Sequence, residues 1–150
     1  MATTRVHEPD SALIESVCAR LRERLGEEDA AHAEEFARQY YRGVPPEDLA
    51  GLDPLDVYGA VLAHWSFGRH REPGTPSVRV YNPEFEQHGW QSAHTVVELV
   101  SDDMPFLVDS TTMELNGQGA GIHLSVHPVI RVRRNGDGEL AGVLAADAPD

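Results

Sequence analysis

The stretch HTVVELVSDDMPFLVDSTTMELNGQGAGIHLSVHPVIRV, His94–Val132, carries the pattern from which the fold is read. It opens with a β-branched and apolar run, Thr95–Ser101, that predicts a strand. A turn follows at Asp102-Asp103, and Met104-Pro105 begins an amphipathic helix that Asp103 is placed to cap. Asn116-Gly117 ends that helix. From Gly121 to Arg133 the residues alternate. Ile122, Leu124, Val126, Pro128, Ile130 and Val132 share one face, and His123, Ser125, His127, Val129, Arg131 and Arg133 share the other. Pro128 cannot donate to a ladder, which places this strand at an edge or at a bulge. Asn135-Gly136 and Asp137-Gly138 signal a hairpin into a third strand, Glu139–Leu144. Strand, helix, strand, hairpin and strand form the first part of a βαββαβ pattern, with the closing helix and fourth strand absent. Residues 95–145 are therefore expected to make a three-stranded antiparallel sheet carrying one helix. Its core face would set Ile122, Leu124, Val126, Ile130 and Val132 against Leu107, Val108 and Leu115. The apolar edge left on Thr95–Ser101 is expected to promote self-association.

Upstream the period changes to that of helices. Residues 1–10 are a polar tail. Ser11 starts a helix to about Leu25, whose stripe is Leu13, Ile14, Val17, Cys18, Leu21 and Leu25. A second helix, Glu27 to Arg42, groups Ala30, Ala33, Phe36, Ala37 and Tyr40, with Glu27, Glu28 and Asp29 suiting its positive end. Asp53-Pro54 caps and opens a third helix to about Phe67, with Leu55, Tyr58, Leu62 and Trp65 as its apolar face. Gly68 to Gln91 reads as loop, interrupted by a short strand candidate at Ser77–Tyr81. The expected organisation is a helical lead-in over 11–67, a loop-rich linker over 68–92 and a partial α+β unit over 93–150.

Composition narrows the function. A net charge of −13 in 150 residues argues against nucleic acid or anionic membrane as partner, because both require a basic patch. All twelve basic residues are arginines, which points to codon bias and to no particular chemistry. Cys18 stands alone, so no disulfide or cysteine zinc site is expected. No run approaches the roughly 20 apolar residues of a spanning helix, and MATTRVHEPD lacks a signal core, so the expected compartment is the cytoplasm.

Candidate chemistry concentrates at one turn. The helix end after Asp102-Asp103 offers free N–H groups to a small anion, while Asp102 could receive an amino group. Asp102, Asp103, Met104, Pro105 and Phe106, with Gly119 and Gly121 facing them, thus form a candidate α-amino-acid effector site. The bland alternative is a helix cap. His123 and His127 lie about 13 Å apart along a strand, too far to share one metal. Gly117, Gly119 and Gly121 follow a helix and precede a strand, the reverse of a dinucleotide-binding turn. No catalytic or metal-ligating residue emerges.

Several blocks resemble the opening region of the large bacterial NAD-dependent glutamate dehydrogenases. They are Asp56–Ala60, Arg79–Pro83, His88–Trp90, His94–Val100, Asp102–Ser110 and Ile122–Leu124 with His127-Pro128, spanning roughly residues 50–145. Asp103-Met104-Pro105 also resembles the Asp-x-Pro that begins the first helix of many ACT folds. In amino-acid-binding ACT domains a glycine commonly follows that proline; here it is Phe106. The resemblance implies a truncated ferredoxin-like, ACT-type βαββ unit forming an N-terminal regulatory or assembly segment of a far longer enzyme. That enzyme would oxidise L-glutamate with NAD, and this segment would hold no cofactor and perform no catalysis. The implied partners are the remainder of the dehydrogenase chain, further copies in a homo-oligomer and an amino-acid effector. The competing class is a free-standing ACT-like binding or interaction module.

Overall fold

The computed structural model describes residues 11–146, and it is α+β: helices first, then small antiparallel sheets. The helices are α1 (Ser11–Arg24), α2 (Glu27–Tyr40), the one-turn α3 (Pro46–Leu49) and α4 (Pro54–Gly68). After them come β1 (Ser77–Tyr81), the one-turn α5 (Phe85–His88), β2 (Val96–Val100), α6 (Leu107–Gly117), β3 (Val132–Arg134) and β4 (Leu140–Val143). The short helix α5 lies where the sequence reads as loop, and α3 falls within the helical lead-in. The polar tail over 1–10 falls outside the described residues.

The core is built on the helices. Ile14, Val17, Cys18 and Leu21 of α1 and Ala30, Ala33, Ala37 and Tyr40 of α2 are buried, as their stripes require. On α4 the buried line is Val57, Val61 and Trp65, four residues apart, so the helix is rotated from the expected face. Tyr58 and Leu62 flank that line and pack against the cluster. Asp53 caps α4 by accepting from the Leu55 N–H at 2.9 Å, with Pro54 in the first turn. Val143 of β4 closes the core, and β4 is tied to α2 by the Val143 N–H reaching His32 Nδ1 at 3.2 Å. Gln39 adds a bond to the Leu144 carbonyl at 2.8 Å.

The expected three-stranded sheet does not form. β2 pairs with β1, in the register Ser77 to Val100 through Tyr81 to Val96, and β3 pairs with β4 as the predicted hairpin. The start of β4 and the turn before it dock on the chain leaving α4: Leu140 N–H donates to Arg69 O at 2.7 Å, and Arg71 N–H to Gly138 O at 3.0 Å. With β2 paired to β1 and β4 to β3, residues 121–131 make no ladder and run as an irregular arm. The alternation survives in part, since Val126, Pro128 and Ile130 are half-buried while His127 and Val129 are exposed. Ile122, Leu124 and Val132, expected in the core, are exposed, as is His123. No residue of α6 is buried, so the expected packing of Leu107, Val108 and Leu115 on a sheet is likewise absent.

A candidate effector turn and a buried polar cluster

The turn before α6 is unusual in its backbone. Phe106 is the N-terminal cap residue at φ 65° and ψ 9°, and among the described residues it alone has positive φ without being glycine. Here the left-handed region is disfavoured by the Cβ, by roughly 1–2 kcal/mol. The resemblance to amino-acid-binding ACT domains sets a glycine at this position, and a positive φ is a physical reason for one. Asp103 is exposed and does not cap α6, contrary to the sequence reading, because the left-handed Phe106 occupies the cap position itself. Phe106 is 76% exposed, so its ring gains little in return. Phe106→Gly is expected to raise stability by about 0.5–1 kcal/mol, the relief of strain less the entropy of the freer unfolded chain. An unchanged urea midpoint would show that the turn relaxes by another route.

Asp102 is already engaged. Its carboxylate accepts from Arg71 at 2.7 Å, and Arg71 is the better buried partner. Gly119, at φ 84°, belongs to the other end of α6. Its N–H reaches Asn116 O at 3.0 Å and the Ala120 N–H reaches Leu115 O at 3.0 Å, the paired bonds of a Schellman cap. The eleven residues of α6 therefore separate Asp102–Phe106 from Gly119 and Gly121 by about 16 Å at 1.5 Å per residue. The structure does not bring the two halves of the candidate site together. It also places the Gly117–Gly121 run at a helix C-terminus, where carbonyl groups repel a pyrophosphate, so these residues do not fit a dinucleotide.

A second cluster escaped the sequence reading. Glu98 of β2 is only 3% exposed, and it faces Arg79 directly across the sheet. Arg79 Nε donates to Glu98 Oε1 at 2.7 Å, and a second guanidinium nitrogen reaches the same oxygen. The guanidinium also lies 4.9 Å from the Phe67 ring centroid and 4.4 Å from that of Tyr81. Beside it His64 of α4 contacts Tyr40 Oη through Nδ1 at 2.9 Å and the Leu99 carbonyl through Nε2 at 3.3 Å. Burial raises the Tyr81 phenol, and the nearby Glu98 adds to it, pushing it up to about 12. The signal available in the sequence was a polar residue at an inward position on each of two paired strands. It is unreadable until the pairing of β1 with β2 is known. The imidazoles of His94 and His123 stack at 3.9 Å, pinning the arm to the chain entering β2, another contact that spacing along one strand cannot reveal.

Burial also depresses the basicity of His64, outweighing the opposing influence of Glu98. A histidine whose folded pKa is lowered binds fewer protons folded than unfolded. Stability is therefore full above its ordinary value near 6.5 and is lost as pH falls below it. The chain is expected to unfold at lower urea at pH 5.5 than at pH 8, about those values, and His64→Gln should flatten the difference. Equal pH slopes in the two proteins would assign the effect to other groups.

The arrangement of helices followed by small antiparallel sheets and one surface helix defines a mixed α+β protein, consistent with a truncated ferredoxin-like unit. Comparison with known proteins then fixes its kind. The family described as glutamate dehydrogenase, ACT1 domain, matches residues 36–150, and the chain belongs to that family. It is 42% identical over 138 residues to the NAD-specific glutamate dehydrogenase of Halomonas elongata, covering 92% of this chain and 9% of that protein. It is 40% identical over 124 residues to the NAD-specific glutamate dehydrogenase of Pseudomonas aeruginosa, covering 83% of this chain and 8% of that one. The chain thus spans less than a tenth of the curated relatives it matches. No solved structure matches it. Among the described residues no helix is long and apolar enough to cross a membrane.

Proposed function

We propose that this chain is the N-terminal regulatory or assembly segment of a large NAD-dependent glutamate dehydrogenase. The whole protein would convert L-glutamate to 2-oxoglutarate and ammonia with reduction of NAD, in the cytoplasm. The observation that carries the reading is the match to the glutamate dehydrogenase ACT1 domain over residues 36–150, joined to relatives more than ten times longer. Catalysis is assigned to the remainder of the polypeptide. The chemistry of this segment supports that division. Its most buried ionisable pair, Arg79 with Glu98, is mutually neutralised and packed between aromatic rings, which suits cohesion better than proton transfer. The chain also has no lysine to serve as an amine acid–base group.

An effector role is the finer part of the proposal. The turn Asp102–Phe106 would take the amino group of an α-amino acid on Asp102, at the cost of its pairing with Arg71. The freed Arg71 would then stand ready for the ligand carboxylate. The expected result is that the 150-residue chain alone gives no glutamate-dependent NAD reduction, while the whole enzyme does and responds to an amino acid. Asp102→Ala should weaken that response. Turnover by the chain alone would overthrow the division of labour, and an effector affinity unchanged by Asp102→Ala would place the site elsewhere.

A further inference from the structure

The β1–β2 sheet departs from the common arrangement in having apolar side chains on both faces. Antiparallel sheets with one wet face usually put apolar residues inward and polar ones outward. Here the inward face, against α4, holds the Arg79–Glu98 pair among Tyr81, Val96 and Val100, with Arg79 also donating to the Ala63 carbonyl. Val78 lies opposite Leu99 and Val80 opposite Val97, and residues directly opposite share a face. The outward face is therefore four apolar side chains, with Val78 58% and Val80 60% exposed.

Val80, Val97 and Leu99 of that face are among the residues lining an open cleft of about 2600 Å³. Leu107, Leu115 and Ile122 line it as well. Sites for small molecules run to roughly 300–1,000 Å³, so this open cleft is larger than such a site. Its charge is one-sided. Asp48, Asp53, Glu84, Glu86, Asp103 and Asp109 are exposed along it. The arginines among its lining residues are committed, Arg71 to Asp102 and Arg134 to the carbonyls of Gly68 and Gly138.

We infer that this cleft is the docking groove for an apolar polypeptide segment flanked by arginine or lysine, supplied by the dehydrogenase polypeptide outside these 150 residues. The inference rests on the reading above of the chain as part of a long dehydrogenase. The apolar centre of the segment covers Val80, Val97 and Leu99 and the exposed side of α6, and its basic flanks meet the acidic rim.

Photo-crosslinking in the full-length protein tests it, with p-benzoyl-phenylalanine in place of Val80 and, as control, in place of Glu28, which is exposed on α2. The tolerance of position 80 follows from its exposure. The expected result is a crosslinked peptide from outside residues 1–150, apolar with basic flanks, at about ten times the control yield. Added salt of about 0.5 M, or the triple change Glu84→Lys, Glu86→Lys and Asp109→Lys, should reduce that yield several-fold. Crosslinks no more frequent than the control overturn the inference. So does capture of a second copy of this same region, or of a segment without basic flanks. Glutamate oxidation by the unmodified protein is assayed separately. An active enzyme without the crosslink refutes the groove alone, whereas an inactive one refutes the dehydrogenase reading.

Discussion

Arg79→Met is expected to destabilise the chain by about 3 kcal/mol, because it leaves the buried Glu98 carboxylate without its cation. The figure sits at the low end of the usual range for breaking a buried pair, since the Arg79 side chain is 37% exposed and was never fully desolvated. Glu98→Gln should cost distinctly less. The long arginine side chain can then swing its charge to water, which a buried carboxylate on a short stem cannot do. Replacing both partners, Arg79→Met with Glu98→Leu, removes the charge and the orphan together, and stability should return close to that of the parent chain. Urea unfolding of the four proteins forms the cycle that measures the coupling. Equal costs for the two single changes would mean that Glu98 reaches water in the folded chain.

A comparable loss is expected where Gly59 meets Trp90. A Cβ on Gly59 would overlap the Cβ of Trp90 and stand 2.8 Å from its Cδ1, and Trp90 is buried. The overlap is with the root of the indole side chain, which cannot swing aside, so Gly59→Ala should cost about 2 kcal/mol despite the gain in helix propensity. Trp90→Ala should cost about 3–5 kcal/mol through lost burial and the cavity left on α4. The double variant should cost less than the sum, because the alanine methyl at 59 then fills part of the space that the indole vacated. Strict additivity in thermal or urea unfolding would separate the two residues. The contact joins two of the sequence blocks in which the resemblance was read, Asp56–Ala60 and His88–Trp90.

How far the amino-acid order alone reaches can be judged from particular elements. The helices α1, α2 and α4 were legible because each carries a local signal: a 3.6-residue apolar stripe, acidic residues in the first turn, or an Asp-Pro start. The strand Ser77–Tyr81 and the hairpin at Asn135–Gly138 were legible for the same reason, since alternation and turn chemistry are properties of neighbours along the chain. The family blocks were legible too, and the match over residues 36–150 agrees with them. Three things were decided only in three dimensions. The partner of β2 is β1, because hydrogen bonds between strands depend on which edges meet, and no spacing records that. The cap of α6 is Phe106 in a left-handed conformation, because the chain must turn sharply between β2 and the helix whatever residue stands there. The facing of the β1–β2 sheet puts the ion pair inside beside Tyr81, Val96 and Val100, and leaves Val78 and Val80 outside. An alternating strand has two equivalent readings until the packing of α4 against one face chooses between them.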